Sequence, residues 1–468
     1  MATAGYTPTI GLEIHAELKT RTKMFCASKN DADETRPNHN VCPVCMAYPG
    51  TLPVVNREAV LHVLKVGAAV DGALADYTEF DRKNYFYPDI PKGYQISQYE
   101  YPLVKGGALA GVAITRVHLE EDTANNKHHD TYSLIDFNRA GIPLMELVTE
   151  PVIHDADTAS NFAKELQLLL RTLGAGEANM EKGQMRVEAN ISVSRDQTLG
   201  TKVEVKNLNS FRSVERAIAY EVERQIQVLE EGGTLVQETR GFDEDRGVTF
   251  SQRAKESSHD YRYFPEPDIP KFKLSLLPEV AAIKDSLPEL PNAKRARYQG
   301  MGIRAEDAEV LVTDEEYAMF FKNEIEDRIS SDEGRKLGVN YLISDIRGQG
   351  SAAQLQNISG GRYAKLIAMI EADTLSSRGA KDVLQKMLET GEEPETLASG
   401  MGVLQVTDTA AIERIVDEVI AENLDVAASV KAGKVEAVQF LVGRGMKKSK
   451  GSAKPALLKE LIHKRLIQ

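Results

Sequence analysis

The stretch Ile10-Gly-Leu-Glu-Ile-His-Ala-Glu-Leu18 decides how the first part of this chain folds. Its even positions, Ile10, Leu12, Ile14, Ala16 and Leu18, are apolar, while its odd positions include Glu13, His15 and Glu17. Successive side chains of a strand point to opposite faces, so this segment sets an acid–imidazole–acid row against an oily one.

The same parity recurs further along. In Arg116-Val-His-Leu-Glu-Glu-Asp122, the residues His118, Glu120 and Asp122 share a face away from Val117 and Leu119. In Arg186-Val-Glu-Ala-Asn-Ile-Ser192 the polar row is Arg186, Glu188 and Asn190, and in Lys202-Val-Glu-Val-Lys206 it is Lys202, Glu204 and Lys206. One face on a core and one in water produces ordinary alternation, and for any single strand that reading suffices. Four such strands are harder to dismiss, because their polar rows can line one cleft. Carboxylates so arranged suit Mg²⁺, a hard ion that favours oxygen, and cations among them suit phosphate. No G-x-x-x-x-G-K-[ST] occurs, which argues against a P-loop fold. Gly348-Gln-Gly-Ser-Ala-Ala353 lacks the preceding strand of a dinucleotide site and reads as a turn.

Around these strands the pattern is that of an α+β domain with an antiparallel sheet, with helices expected at 57–70, 155–173 and from Ser213 to Leu229. Prolines gather at 265, 267, 270, 278, 288 and 291, marking a linker. Beyond them only helical spacing remains, as in TAAIERIVDEVIAENL, and a break near Gly402–Thr407 sets off a small helical tail. The expected division is 1–292, 293–406 and 407–468. Such a division suits 468 residues, too many for one ordinary core. No secretory signal or membrane-length apolar run is visible, and three cysteines favour a reducing compartment, so a cytoplasmic protein is expected. The net charge of -13 hides an asymmetry: residues 431–468 carry ten Lys or Arg against two Glu. That basic end either meets a polyanion or is a solvated tail.

Several long runs carry a resemblance. Gly11-Leu-Glu-Ile-His15, Phe80-Asp-Arg-Lys-Asn-Tyr-Phe-Tyr-Pro88, Lys92-Gly-Tyr-Gln-Ile-Ser-Gln98, Arg116–Asp122, Asp136-Phe-Asn-Arg-Ala-Gly-Ile-Pro143, Glu204-Val-Lys-Asn-Leu-Asn-Ser210 and Asp260-Tyr-Arg-Tyr-Phe-Pro-Glu-Pro-Asp268 occur in the order expected of the GatB family, the amide-forming subunits of tRNA-dependent amidotransferases. Phe440-Leu-Val-Gly-Arg-Gly-Met-Lys-Lys448 resembles the tail that family shares with YqeY proteins. The likeness spans nearly the whole chain.

The resemblance implies an N-terminal cradle with a glutamine-synthetase-like sheet, a helical domain and a YqeY-like tRNA-binding tail. It implies a ligase that uses ATP to phosphorylate the side-chain carboxylate of Glu-tRNA(Gln) or Asp-tRNA(Asn) and amidates it with glutamine-derived ammonia. Its partners would be an amidase (GatA-type) subunit and a small GatC-type subunit in a heterotrimer. Carried over position by position, Mg²⁺ falls to His15, Glu120 and Glu146, with Glu13 catalytic and Glu121 close by. Glu146 rests on the resemblance alone, since by parity it shares a face with Ile142 and Leu144. Arg82, Lys83, Lys206 and Asn207 are expected at the ATP or the aminoacyl end, and Lys447, Lys448 and Lys450 on tRNA.

Two positions depart from the family pattern. Many relatives carry a four-cysteine zinc knuckle; here Cys26, Cys42 and Cys45 remain, but Ser28 stands where a cysteine is expected. The expectation is a degenerate or metal-free knuckle, Zn²⁺ with His39 as fourth ligand being the alternative. The other departure is Glu188, where relatives often have Asp. Two other classes compete with the ligase reading: a tRNA-binding adaptor with a structural acid-rich sheet, and a free-standing small-molecule ligase. Glu13, His15, Glu120 and Glu146 together speak against the first, and the basic tail against the second.

Overall fold

A computed structural model describes residues 5–31, 33–196, 198–254, 261–349, 352–405, 409–432, 434–449 and 452–466. The chain forms two compact units, Met1–Pro291 and Asn292–Gln468. The fold is α+β, with the sheet in the first unit and helices throughout the second.

The first unit is built on a 10-stranded sheet. Its long strands are β1 (Thr7–Glu17), β4 (Val112–Glu121), β5 (Pro143–Thr149), β6 (Met185–Ser194), β7 (Val203–Leu208), β8 (Glu238–Asp243) and β9 (Val248–Ala254), where β2 (Asp81–Asn84) and β3 (Tyr94–Ser97) belong to a separate small sheet. The order is β9-β8-β7-β6-β1-β5-β4, continued by the short strands Val104–Lys105 and Ala73–Leu74. The pairs are antiparallel except β7 with β8. That parallel pair needs a crossover, which helix α3 (Phe211–Glu230) supplies.

Parity explains the layering. Ile10, Leu12, Ile14, Ala16 and Leu18 are all at most 2 % exposed, and they join Val117, Leu119, Met145, Leu147, Val187 and Ala189 in one core. Helices α1 (Arg57–Ala69), α2 (Ala156–Thr172) and α3 supply the other half of that core, each starting at a side-chain cap. Asn56, Asp155 and Ser210 accept the otherwise orphaned N–H groups of their first turns. Burying each Leu or Ile of the oily row contributes roughly 1.5–3 kcal/mol. This leaves the opposite face of β1, β4, β5, β6 and β7 to the polar rows.

Among its described residues the second unit has no strand, only an isolated bridge between Leu375 and Leu404. Its last helices, from Thr409–Glu422 to Pro455–Leu466, share a core of their own around Ile412, Leu441, Leu458 and Ile462. No helix among the described residues is long and apolar enough to cross a membrane.

A buried carboxylate organises the other half of this unit. Glu324, in the π-helical turn Phe321–Glu326, accepts the N–H groups of Gly360 and Gly361, each at 2.8 Å. Those donors open the helix Arg362–Glu371, whose N-terminal dipole favours the charge. Glu324→Ala should therefore cost about 1–3 kcal/mol in urea denaturation. An unchanged midpoint would show that water replaces the carboxylate without penalty.

Candidate functional site

Antiparallel register brings the polar rows into line. His15 pairs with Glu146 on one side and Arg186 on the other, and Glu146 pairs with His118. Three strands thus place two imidazoles and a carboxylate side by side. His15 Nε2 lies 3.3 Å from Glu146, 3.6 Å from Glu120 and 3.8 Å from Glu13. His118 Nε2 is 3.6 Å from Glu146 and 3.8 Å from Glu120. Ser97, on β3, donates to Glu120 at 3.0 Å and fixes its orientation.

Glu120 and Glu146 are buried and Glu13 and His15 half-buried, and loss of water shapes the protonation of these four. It would lift the Glu146 carboxyl, but His118, His15 and Lys83 hold it well below the usual range. Glu120 is likewise lowered, against burial, by His118, Lys83 and His15. Glu13 has weaker compensation, so burial with Glu146 and Glu188 pushes it up to about 7. Burial disfavours a charged His15, yet Glu146, Glu120 and Glu13 outweigh it and raise the imidazole to about 9.

The arrangement fits a divalent cation. Glu13, His15 and Glu146, and separately His118, Glu120 and Glu146, each offer ligand atoms within 4.8 Å of one another. Carboxylate oxygens with one or two imidazoles form a set that Mg²⁺ or Mn²⁺ accepts. His118 Nδ1 is buried and has no hydrogen-bond partner among the described residues.

The sequence-derived residues divide sharply in where they fall. Glu13, His15, Glu120 and Glu146 come together. Lys83 faces them: burial opposes its charge, but Glu120, Tyr263 and Glu146 hold it well above the ordinary range. Glu121 does not join. It lies one residue beyond Glu120 on β4 and so points to the other side, where Lys92 meets it at 2.6 Å beside a cavity of about 260 Å³. Arg82 is also engaged elsewhere, bonding Glu266 through two nitrogens at 2.7 and 2.8 Å and stacking over Tyr94. It fastens the segment Phe264–Pro265 to β2.

Lys206 reaches the edge of the cluster by way of a bulge. Between Val187–Leu208 and Ala189–Val205 the register slips, and Asn207 takes a left-handed φ of 59°. Lys206 then bonds Glu188 at 2.7 Å and lies 3.8 Å from Glu204, while Asn207 is exposed. Glu13, Glu188 and Glu204 form a third group of closely spaced oxygens beneath it.

The three thiols of Cys26, Cys42 and Cys45 also gather, with 3.9 Å between the sulfurs of the last two. Ser28 Oγ stands 3.8 Å from Cys45 Sγ, and fully buried Lys23 brings its ammonium 3.8 Å from the same sulfur. His39 is not in this set and lies 3.9 Å from Glu34. Three sulfurs, a hydroxyl and a nearby cation fall short of the four N or S ligands of a closed zinc site. In the tail, Lys447 is exposed, Lys448 is paired with Glu418 and Glu422, and Lys450 lies outside the described residues, as does Asp260 of the first unit.

Sequence reasoning passed over His118 as a ligand, although parity had put it in the row. It also missed Tyr263, because nothing in the local pattern announces a contact made across most of the domain.

Glu17 extends the polar row away from the cluster, toward Asp122, which Arg186 grips at 3.0 and 3.2 Å. Burial and Asp122 push the Glu17 carboxyl up to about 8, against Arg186 and Arg139. An acid raised on folding stabilises while protonated, and that contribution disappears as pH climbs from about 4.5 through 8. In thermal melts, Glu17→Gln should flatten the decline in Tm between pH 5 and roughly pH 8.5. Parallel curves for variant and wild type would refute the assignment.

A family model described as the GatB/GatE catalytic domain matches residues 8–277, and one described as a GatB domain matches 319–466. The chain is 43 % identical to a protein of Thermus thermophilus, over 98 % of each chain. It is 45 % identical to one of Halorhodospira halophila over 98 % of each, and 43 % identical to one of Thermomicrobium roseum over 99 % of each. All three are named as the B subunit of an aspartyl/glutamyl-tRNA(Asn/Gln) amidotransferase.

Proposed function

The chain belongs to the GatB family of aspartyl/glutamyl-tRNA(Asn/Gln) amidotransferase subunits, and on that premise we propose that it carries the kinase and amide-forming steps of such an enzyme. The substrates are Glu-tRNA(Gln) or Asp-tRNA(Asn), ATP, and ammonia released from glutamine by a GatA-type amidase. A small GatC-type protein completes the assembly, in the cytoplasm. The cradle is read as a glutamine-synthetase-like sheet, and the basic residues of the tail as the tRNA contact.

The observation that carries this reading is the meeting of His15, Glu120, Glu146 and Lys83 from separate strands, with Glu13 beside them. A carboxylate resists ammonia because oxide would have to leave. Its oxygen therefore first attacks the γ-phosphorus of ATP, breaking the bond to ADP and giving an acyl phosphate. Ammonia then adds to the acyl carbon, phosphate departs, and a proton leaves the nitrogen to give the amide. His15, Glu120 and Glu146 would hold Mg²⁺, with His118 an additional donor. Bound there, the ion draws charge from the phosphate oxygens.

The protein's own groups position and balance. Lys83 is the cation assigned here to the transferred phosphoryl group, and the nearby charges of Glu120 and Glu146 keep it an ammonium. Ser97 locks Glu120, and the apolar Leu144 and Val148 flank Glu146 on the same face of β5. Lys206 pairs with Glu188 and Glu204 and offsets part of the repulsion that Glu188 exerts on Glu13.

The test is conversion of Glu-tRNA(Gln) to Gln-tRNA(Gln) by this chain reconstituted with its GatA-type and GatC-type partners, dependent on ATP and glutamine. Glu146→Gln should lower kcat by about 100-fold or more while the folded trimer still assembles. Equal conversion by variant and wild type would remove Glu146 from the chemistry and move the search for the kinase step off this chain.

A further inference from the structure

A cluster of tyrosines beside the charged groups has no part in the steps above. Tyr99 and Tyr263 stack face to face, 4.5 Å between ring centroids and 16° from parallel. Tyr261 meets Tyr263 edge-on at 6.1 Å and Tyr85 at 6.3 Å. The ammonium of Lys83 lies 4.9 Å over the Tyr261 ring. These rings come from three places in the chain: the end of β2, the residue two beyond β3, and the segment that leads into Phe264–Pro265. Pairing of Phe264 with Arg82 brings the last of them alongside β2, locked by the Arg82–Glu266 bond.

Two features distinguish this cluster from packing. First, it is not closed over: Tyr99 keeps 52 % of its surface exposed, although a stacked core ring would be covered. Second, it adjoins the acids and Lys83. The Tyr263 hydroxyl is raised by burial and by Glu120 and Glu146, with Lys83 opposing. An open aromatic face next to an ammonium suits a nucleotide, since every base offers a π-face and carries its phosphate a ribose away. Tyrosine supplies rigid stacking area with only two side-chain torsions to immobilise.

We propose that the Tyr99–Tyr263 stack is the platform for the adenine ring of a reacting nucleotide, braced by Tyr261 and Tyr85, with Lys83 spanning from the platform to the phosphate. Adenine reaches this site from one of two sources, ATP or the 3′-terminal adenosine of the aminoacyl-tRNA. The identity of the ligand rests on the amidotransferase reading; the platform itself is tested without turnover.

The experiment is equilibrium binding to the complex with its GatA-type and GatC-type partners, comparing wild type with Tyr99→Leu, Tyr263→Leu and Tyr263→Phe. The probes are Mg-ATP against base-free Mg-tripolyphosphate, and tRNA(Gln) with and without its terminal adenosine. The Leu variants should lose roughly five- to one-hundred-fold affinity for one adenine-bearing probe, with its base-free counterpart unaffected and Tyr263→Phe near wild type. A loss confined to ATP assigns the platform to ATP, and one confined to intact tRNA assigns it to the terminal adenosine. Unchanged binding of both adenine-bearing probes by folded Leu variants overturns the platform and leaves the amidotransferase reading standing. Equal losses with and without the base also overturn it, as general damage to the site. Failure of wild type to convert Glu-tRNA(Gln) would sink the amidotransferase reading, and the binding comparison would still decide the platform.

Discussion

The structure of the first unit depends on one constraint: β1 is dry on one side and charged on the other, and it is held in register by a neighbour along each edge. A slip of one residue against β5 would turn Ile14 toward the acids and His15 into the core. The oily row prevents this, because burying imidazole and carboxylates among Leu64, Phe162 and Leu166 would cost far more than the site contributes. The hydrophobic face is therefore what aims the polar one. His15 stands opposite Glu146, and Glu146 opposite His118, because the core accepts no other alignment.

Concentrating acids in a buried place opposes folding unless charge is balanced. The sheet does this unevenly. Glu146 and Glu120 are matched by imidazoles and Lys83, Glu188 and Glu204 by Lys206, and Asp122 by Arg186 and Arg139. Glu13 and Glu17 remain under-compensated and are pushed toward neutrality. A polar face with such unevenness is better suited to receiving a cation than to standing alone.

Much of this was legible in the sequence, and what was not has physical reasons. The rows on β1 and β6 read directly because alternation leaves each face one character, and on β4 it holds as far as Glu120. Glu146 did not, since Leu144 and Val148 share its face and make both sides of β5 look apolar. Lys206 falls beside Glu188 and Glu204, on the row where parity put it, whereas the orientation of Asn207 was not legible, because a bulge resets the register there and gives it a left-handed φ. Glu121 was over-read: adjacency in sequence within a strand means separation in space. Arg82 was expected at the ATP or the aminoacyl end from the family likeness; its bond to Glu266, far along the chain, is one that no local pattern encodes. The family likeness supplied Glu146; alternation alone would not have.

The central position of β1 also shapes how the chain can acquire its structure. This strand is made before both of its partners, which begin only at Pro143 and Met185. At synthesis rates of about 5–20 residues per second, it waits on the order of ten seconds or more for both edges to be covered. Throughout that interval an alternating strand with two unpaired edges and a wholly apolar face is open to pairing with any similar segment nearby. Gly11 and the row of charges at Glu13, His15 and Glu17 then act as gatekeepers, discouraging premature partners from a strand that will become the middle of the sheet. The residues that serve the site would thus also protect the nascent chain from aggregation until its proper neighbours emerge.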